Sequence, residues 1–84
     1  TIKDCNLIFS QFNDLPDEAQ LVIANMCFQL GRPRLSKFKN FIAAVKTEDW
    51  LRAADEMEDS RWYKQTTARA DRLIARIIKL GVPT

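Results

Sequence analysis

Apolar residues in this chain recur three and four residues apart, in runs that end at residues which interrupt helices. The clearest run places its apolar side chains at Ala19, Val22, Ile23, Met26, Cys27 and Leu30. This period puts them on one face of an α-helix, whereas a half-buried strand needs an alternation of apolar and polar residues that no segment sustains. The sequence therefore predicts an all-α fold, a compact bundle of five or six short helices crossing at varied angles.

The boundaries of the predicted helices carry recognisable signals. Residues with side-chain oxygens, which favour helix starts, stand at Thr1, Ser36, Thr47 and Thr66 or Thr67. The second helix begins instead at Pro16, followed by the first-turn acids Asp17 and Glu18. We expect it to stop at Gly31 in the αL conformation and Pro33 to prevent its continuation.

The same spacing predicts which residues of the other helices are buried. They are Ile2, Cys5, Ile8, Phe9 and Phe12 in the first helix, Phe38, Phe41, Ile42 and Val45 in the third, Trp50, Leu51, Ala54 and Met57 in the fourth, and Ala70, Leu73, Ile74, Ile77 and Ile78 in the last. Asp59-Ser60 interrupts the chain before the last helix. Arg61-Trp62-Tyr63 is therefore predicted to form one short turn.

The length of the chain limits its organisation. Eighty-four residues make one small domain, so we expect a single helical domain over 1–84. The longest unbroken apolar run, Phe41 to Val45, is too short to cross a bilayer, so no membrane partner is predicted. A first residue that is Thr and not Met leads us to expect a chain that was processed, trimmed or cut from a longer one, with no visible signal peptide.

Several kinds of chemistry need residues that this sequence lacks. There is no histidine, which excludes histidine general bases and His-ligated metals. Two glycines cannot build a glycine-rich phosphate loop, and two cysteines are too few for a zinc site. We therefore predict no cofactor and no metal. A net charge of +2 is too small to predict a nucleic-acid partner.

Charged clusters offer candidates for a site. The densest acidic cluster is Asp55, Glu56, Glu58 and Asp59, and the longest basic stripe is Arg69, Arg72, Arg76 and Lys79. No apolar pocket surrounds the acids in the sequence, so we interpret them as a solvated face. The basic stripe is either a solvated helix face or a surface that meets an anion or a partner. Arg32 and Arg34 are expected in a loop around Pro33, where they could also meet a partner.

Two aromatic positions and two thiols each allow two interpretations. Trp62 could pack against a sugar or a peptide, or against the core. Gln29, beside Phe28, could bind a ligand or simply be exposed. Cys5 and Cys27 both lie on apolar faces, which favours reduced core thiols, although a disulfide is possible if the first two helices are antiparallel neighbours.

Several of these segments together resemble one protein family. They are Asn25-Met26-Cys27-Phe28-Gln29-Leu30-Gly31, Phe38, Trp50, Ala53-Ala54, Ser60-Arg61-Trp62-Tyr63-Lys64-Gln65-Thr66 and Arg69-Ala70. In this order and spacing they resemble the larger, C-terminal lobe of T4-type phage lysozyme, from about Leu15 to Leu80. The Ser-Arg-Trp-Tyr-x-Gln-Thr block is the more specific part of the likeness.

The resemblance implies roles for individual residues. Phe28, Gln29 and Trp62 would be substrate-binding, with Gln29 lining the back of the cleft and Trp62 contacting the peptide arm of the muropeptide. In the family, arginines also join the two lobes.

Three arginines of this chain match that second role. Arg69 would pair with the catalytic glutamate across the cleft, Arg72 would bind an acidic neighbour of that glutamate, and Arg61 would bridge to the other lobe when the cleft closes.

The resemblance also implies a function. The family cleaves the glycosidic bond of peptidoglycan with acids of an N-terminal lobe, whose Glu-bearing helix and Gly-rich hairpin are not among these residues. The chain would then be the substrate-holding part of an endolysin or tail lysozyme, in a phage virion or at the host cell wall, inactive alone. Its partners would be peptidoglycan and a catalytic lobe. The alternative is a non-enzymatic structural module of a phage tail or baseplate, whose arginines meet an acidic protein surface.

Overall fold

A computed structural model of the chain describes residues 2–82, with side chains from Lys3 onward. Seven α-helices lie within these residues: α1 (Ile2–Ile8), α2 (Asp17–Leu30), α3 (Arg32–Leu35), α4 (Lys39–Lys46), α5 (Trp50–Glu58), α6 (Arg61–Gln65) and α7 (Thr67–Gly81). A 3₁₀ turn, Phe12–Asp14, separates α1 from α2, and no strand occurs between residues 2 and 82. The predicted all-α class is confirmed. The predicted cap at Thr1 lies outside the described residues, and the predicted burial of Ile2 lies outside the described side chains.

The helix count exceeds the prediction because the chain restarts a helix immediately after α2. Gly31 ends α2 with a φ of 79° and a ψ of 156°. This φ favours glycine, which has no Cβ, but the extended ψ shows that the predicted αL conformation was wrong. Pro33 then lies in the first turn of α3, where its missing N–H leaves no bond unmade. The prediction of a loop around Pro33 was therefore also wrong.

Two of the predicted helix starts are in fact helix ends. The Ser36 hydroxyl donates to the Arg32 carbonyl at 2.7 Å, and the Thr47 hydroxyl donates to the carbonyls of Ala43 and Ala44. A hydroxyl can accept at a helix start or donate at a helix end, so its presence alone does not distinguish the two. The side chain that caps α5 is Asp49, which accepts from the backbone N–H of Arg52.

The core lies where α7 packs against α2 and α5. All six predicted apolar residues of α2 are buried, as are Ala70, Leu73, Ile74 and Ile77 of α7. Leu51 and Ile78 were predicted to be buried but are 50% and 40% exposed. They lie at the edge of the apolar stripe, beyond the width that neighbouring helices cover, and the smaller Ala53 is buried instead.

The end of α7 approaches the start of α5 closely. A Cβ built on Gly81 would lie 2.9 Å from Cγ and 3.1 Å from the backbone nitrogen of Leu51. Because a Cβ there would require the backbone of α5 to shift by a few tenths of an ångström, this contact favours glycine. None of the helices between residues 2 and 82 is long and apolar enough to cross a membrane.

The two cysteines are free thiols in the core. Cys5 on α1 is fully buried and Cys27 on α2 is 3% exposed. The predicted reduced core thiols are thus confirmed. Burial, followed by the charge and hydrogen bond of the neighbouring Cys27, raises the pKa of Cys5 from 9.0 to about 11.

This shift predicts a loss of stability in alkali. A thiol whose pKa is higher in the folded protein contributes its full stabilisation below pH 9, and loses it as the pH rises through about 11. We expect the free energy of unfolding of the Cys5→Ala variant to fall less between pH 9 and 11 than that of the original chain. Urea unfolding at several pH values measures this, and parallel curves for the two proteins would contradict it.

Candidate functional site

A shallow groove between α2 and α7 brings together four of the six predicted site residues. Its lining consists of Leu21, Asn25, Phe28 and Gln29 from α2 and Arg69, Arg72, Leu73 and Arg76 from α7. The groove, called here the α2–α7 groove, encloses about 440 Å³. Phe28 and Gln29 lie forty or more positions before Arg69 and Arg72 in the sequence. The packing of α7 on α2 places the two pairs around one concavity.

Phe28 forms the apolar wall of this groove. Its side chain is 80% exposed, the largest exposure among the large apolar residues of the described chain. Leu21, two turns earlier on α2, is 44% exposed and lines the same groove. An exposed ring beside an aliphatic side chain is a surface on which a sugar ring or a peptide can pack.

Gln29 is held in place by Trp62. The Trp62 indole N–H donates to Gln29 Oε1 over 3.1 Å. Because an indole nitrogen can only donate, this bond determines which end of the amide faces Trp62. The other end, Nε2, is buried and has no hydrogen-bond partner among the described residues. An unpaired buried donor is costly, so Gln29 Nε2 is suited to an acceptor that a ligand or partner would supply.

Trp62 itself lies beneath the groove and not in its lining. The side chain is only 3% exposed. Trp62 therefore packs on the core, which is the second of the two interpretations that the sequence allowed. Ser60 caps α6 by accepting from the Tyr63 N–H at 3.1 Å, which places Trp62 in the first turn of that helix. Its observed link to the groove is its hydrogen bond to Gln29.

The α7 side of the groove is positively charged. Arg76 Nη1 lies 2.8 Å from Glu18 Oε2, but both side chains are about half exposed, so this pair contributes less than about 1 kcal/mol. Arg69 and Arg72 make no ion pair with any carboxylate of the described residues. Their guanidinium groups can therefore bind an external carboxylate, in a bidentate manner where the geometry allows.

Arg61 lies apart from the other two predicted lobe-pairing arginines. It lines a separate groove of about 350 Å³, together with Lys37, Glu56 and Asp59. The structure therefore brings Arg69 and Arg72 together but does not join Arg61 to them. Of the acidic cluster, Asp55, Glu58 and Asp59 are exposed and Glu56 is half-buried, as expected for a solvated face.

The sequence interpretation missed Leu21 and Asn25. Asn25 lies one turn before Phe28 and Gln29 on the same side of α2, and Leu21 lies two turns before them. The Asn25 amide donates to the Leu21 carbonyl at 2.9 Å. Extending the helical period back from Gln29 would have found both residues. The eight lining residues supply amide, apolar and guanidinium groups, which can contact a polar ligand, an apolar ring and an anion.

Comparison with known proteins gives the chain three informative relatives. It is 32% identical over 75 residues to "Probable T4-type lysozyme 2" of Dictyostelium discoideum, an alignment that covers 89% of this chain and 44% of that protein. It is 37% identical over 59 residues to the pre-baseplate central spike protein Gp5 of Enterobacteria phage T4, covering 70% of this chain and 10% of Gp5. It is 35% identical over 57 residues to the peptidoglycan hydrolase gp36 of Pseudomonas phage phiKMV, covering 68% and 6%.

No family model and no solved structure matches the chain. The relationship therefore rests on the sequence relatives, and the chain spans less than half the length of the lysozyme relative that it matches along most of its own length. The helical fold and the groove are compatible with such a portion. By sequence, this chain is similar to the T4-type lysozymes along 89% of its length, over a portion that corresponds to 44% of one of them.

Proposed function

We propose that the chain is the substrate-holding lobe of a T4-type lysozyme, which binds a peptidoglycan strand while another lobe supplies the catalytic acid. The observation that carries this proposal is the composition of the α2–α7 groove. It combines the exposed ring of Phe28, the unpartnered amide nitrogen of Gln29 and the unpaired guanidinium groups of Arg69 and Arg72.

Each part of the groove fits the holding of a substrate or of the other lobe. Glycoside hydrolysis generally needs two carboxyl groups that flank the scissile bond, and the groove lining contains none. Phe28 offers a face for the sugar strand, and Gln29 Nε2 offers a donor for a sugar or amide oxygen. Arg69 and Arg72 would hold carboxyl groups of the other lobe in position across the cleft.

The relatives support this assignment. One is named a lysozyme and another a peptidoglycan hydrolase, so peptidoglycan is the proposed substrate. Two come from phages, one of them as a baseplate spike protein, so we place the protein in a phage context with action at the bacterial cell wall. Within that context it is either an endolysin or a tail lysozyme.

The proposal predicts that this chain alone does not clear peptidoglycan and that fusion to the catalytic lobe of a T4-type lysozyme restores clearing. In the fusion, Arg69→Gln is expected to reduce the clearing rate about 10- to 100-fold, because it removes a hydrogen bond between charged groups worth about 1.5–3 kcal/mol. The matched control is Lys64→Gln, which removes one exposed cation on α6 away from the groove. Zymograms and turbidity assays on isolated cell walls measure both.

Three results would count against this function. They are clearing by the isolated chain, a fusion that stays inactive although it is folded, and equal rates for the Arg69→Gln and Lys64→Gln fusions. An inactive but folded fusion would favour the alternative of a non-enzymatic tail or baseplate module. The similarity to the spike protein Gp5 is the observation that supports that alternative.

A further inference from the structure

We propose that a second groove, formed by α1, α3 and α4, binds an acidic peptide segment with aliphatic side chains, carried by a partner protein. This basic groove encloses about 570 Å³, and its lining includes Leu7, Ile8, Arg32, Lys39, Ile42 and Lys46. None of these residues lines the α2–α7 groove. The proposal is therefore independent of the lysozyme function.

Positive charge is concentrated in the segment 32–46, three of whose cations, Arg32, Lys39 and Lys46, line this groove. Residues 32–46 hold five of the 13 basic residues and none of the 11 acidic ones, so the rest of the chain has eight basic against 11 acidic residues. A chain with a small net charge thus carries a strongly positive segment. Such a segment steers and orients an anionic partner even when the whole molecule is nearly neutral.

The cations of the groove are free to bind such a partner. Arg32, Lys39 and Lys46 are all exposed, and none of them makes an ion pair with a carboxylate of the described residues. The lining contains no acidic residue that would compete with a ligand. Carboxylates of a ligand would therefore meet three unpaired positive charges around one concavity.

The interior of the groove is apolar. Leu7 on α1 is 60% exposed, while Ile8 and Ile42 are partly buried and pack on the core. The packing of α1 against α3 places these aliphatic side chains beside Arg32. Covering them would remove apolar surface from water, which favours binding.

The combination of unpaired cations and aliphatic side chains favours one class of anion over others. A polyphosphate or nucleic acid would satisfy the cations but leave the aliphatic side chains uncovered. A short peptide that carries both acidic and aliphatic residues satisfies both, because its carboxylates can pair with the cations while its aliphatic side chains cover the apolar lining. The volume lies in the range of pockets that bind small molecules, and it suits a short segment of a few residues.

The test measures binding of a fluorescein-labelled octapeptide of alternating Asp and Leu by fluorescence anisotropy at low salt. We expect the complete chain to bind it at least tenfold more tightly than peptides in which Asn replaces Asp or Gly replaces Leu. The Lys39→Gln/Lys46→Gln variant is expected to weaken binding roughly fivefold or more, since it removes two exposed positive charges from the groove. Leu7→Asn, at an exposed position, is expected to weaken it about threefold through lost apolar burial.

The matched control is Arg34→Gln/Lys64→Gln. It removes the same amount of charge from two exposed residues that line none of the grooves described above, and we expect less than a twofold change. Circular dichroism verifies that every variant is folded. The proposal is overturned if the Asp-Leu peptide does not bind, if the Asp-Gly peptide binds equally well, if the control weakens binding as much as the groove variant, or if oligothymidylate or phosphatidylglycerol vesicles bind in preference to the peptide.

Discussion

Replacing Trp62 by alanine is expected to lower the free energy of unfolding by about 3–5 kcal/mol, the usual cost of removing a large aromatic side chain from a core. Trp62 is 3% exposed and belongs to the core cluster. Alanine would leave a cavity beneath α6 and would remove the hydrogen-bond donor to Gln29. A small domain has a total stability of about 5–15 kcal/mol, so this one change removes much of it.

Urea unfolding followed by circular dichroism at 222 nm measures the loss without relying on tryptophan fluorescence. Trp62→Phe is the matched control, because it keeps an aromatic ring but removes the indole N–H. We expect it to cost about 1–3 kcal/mol, since Gln29 is then left without its partner. If Trp62→Phe and Trp62→Ala were equally destabilising, the lost hydrogen bond and not the lost packing would account for most of the destabilisation. A cost below 1 kcal/mol for Trp62→Ala would contradict the buried position.

The Trp62→Phe variant also tests whether Trp62 supports binding in the α2–α7 groove. Trp62→Phe releases the Gln29 amide, whose orientation depends on the indole N–H. In the fusion to a catalytic lobe, Trp62→Phe should therefore reduce clearing although the chain is folded. Gln29→Ala in the same fusion should give a similar reduction, and the double variant should lose little more than either single one, because the two residues act through one hydrogen bond.

Phe9→Ala is expected to have a comparable effect on stability, about 3–5 kcal/mol. Phe9 is fully buried at the end of α1, and its N–H donates to the Cys5 carbonyl at 2.8 Å. Leu7, two residues earlier, is 60% exposed and provides the control. We expect Leu7→Ala to change the free energy of unfolding by less than about 0.5 kcal/mol, as exposed substitutions usually do.

Chemical denaturation of both variants decides whether α1 belongs to the same cooperative unit as the rest of the bundle. A large loss for Phe9→Ala in a single transition means that it does. A loss below about 1 kcal/mol, or a separate early transition, would show that α1 unfolds independently of the core on which α2, α5 and α7 pack.

The sequence pattern predicted individual helices well where local periodicity is strong. The stripe of α2 and most of the α7 stripe were buried as expected, because a period of three and four residues leaves a helix one apolar face. The prediction was wrong at Leu51 and Ile78, where neighbouring helices determine how wide the buried stripe is. It was also wrong for the side chains of Ser36 and Thr47, because a hydroxyl serves either end of a helix.

The candidate site was predictable as a set of residues but not as an arrangement. The resemblance to T4-type lysozyme singled out Phe28, Gln29, Arg69 and Arg72, and all four line one groove. Their proposed roles in binding peptidoglycan and a second lobe remain predictions. The same resemblance grouped Arg61 with the other arginines, although Arg61 lines another groove.

The amino-acid sequence alone determined the fold class and the apolar faces, since these depend on residue type and on spacing within one helix. The tertiary structure decided which faces meet. Only the packing of α7 against α2 places Arg69 and Arg72 across from Gln29, and only the hydrogen bond from Trp62 on α6 fixes which amide end of Gln29 is left without a partner. The physical reason is that helix packing joins residues more than thirty positions apart, through distances and burial that no local period encodes.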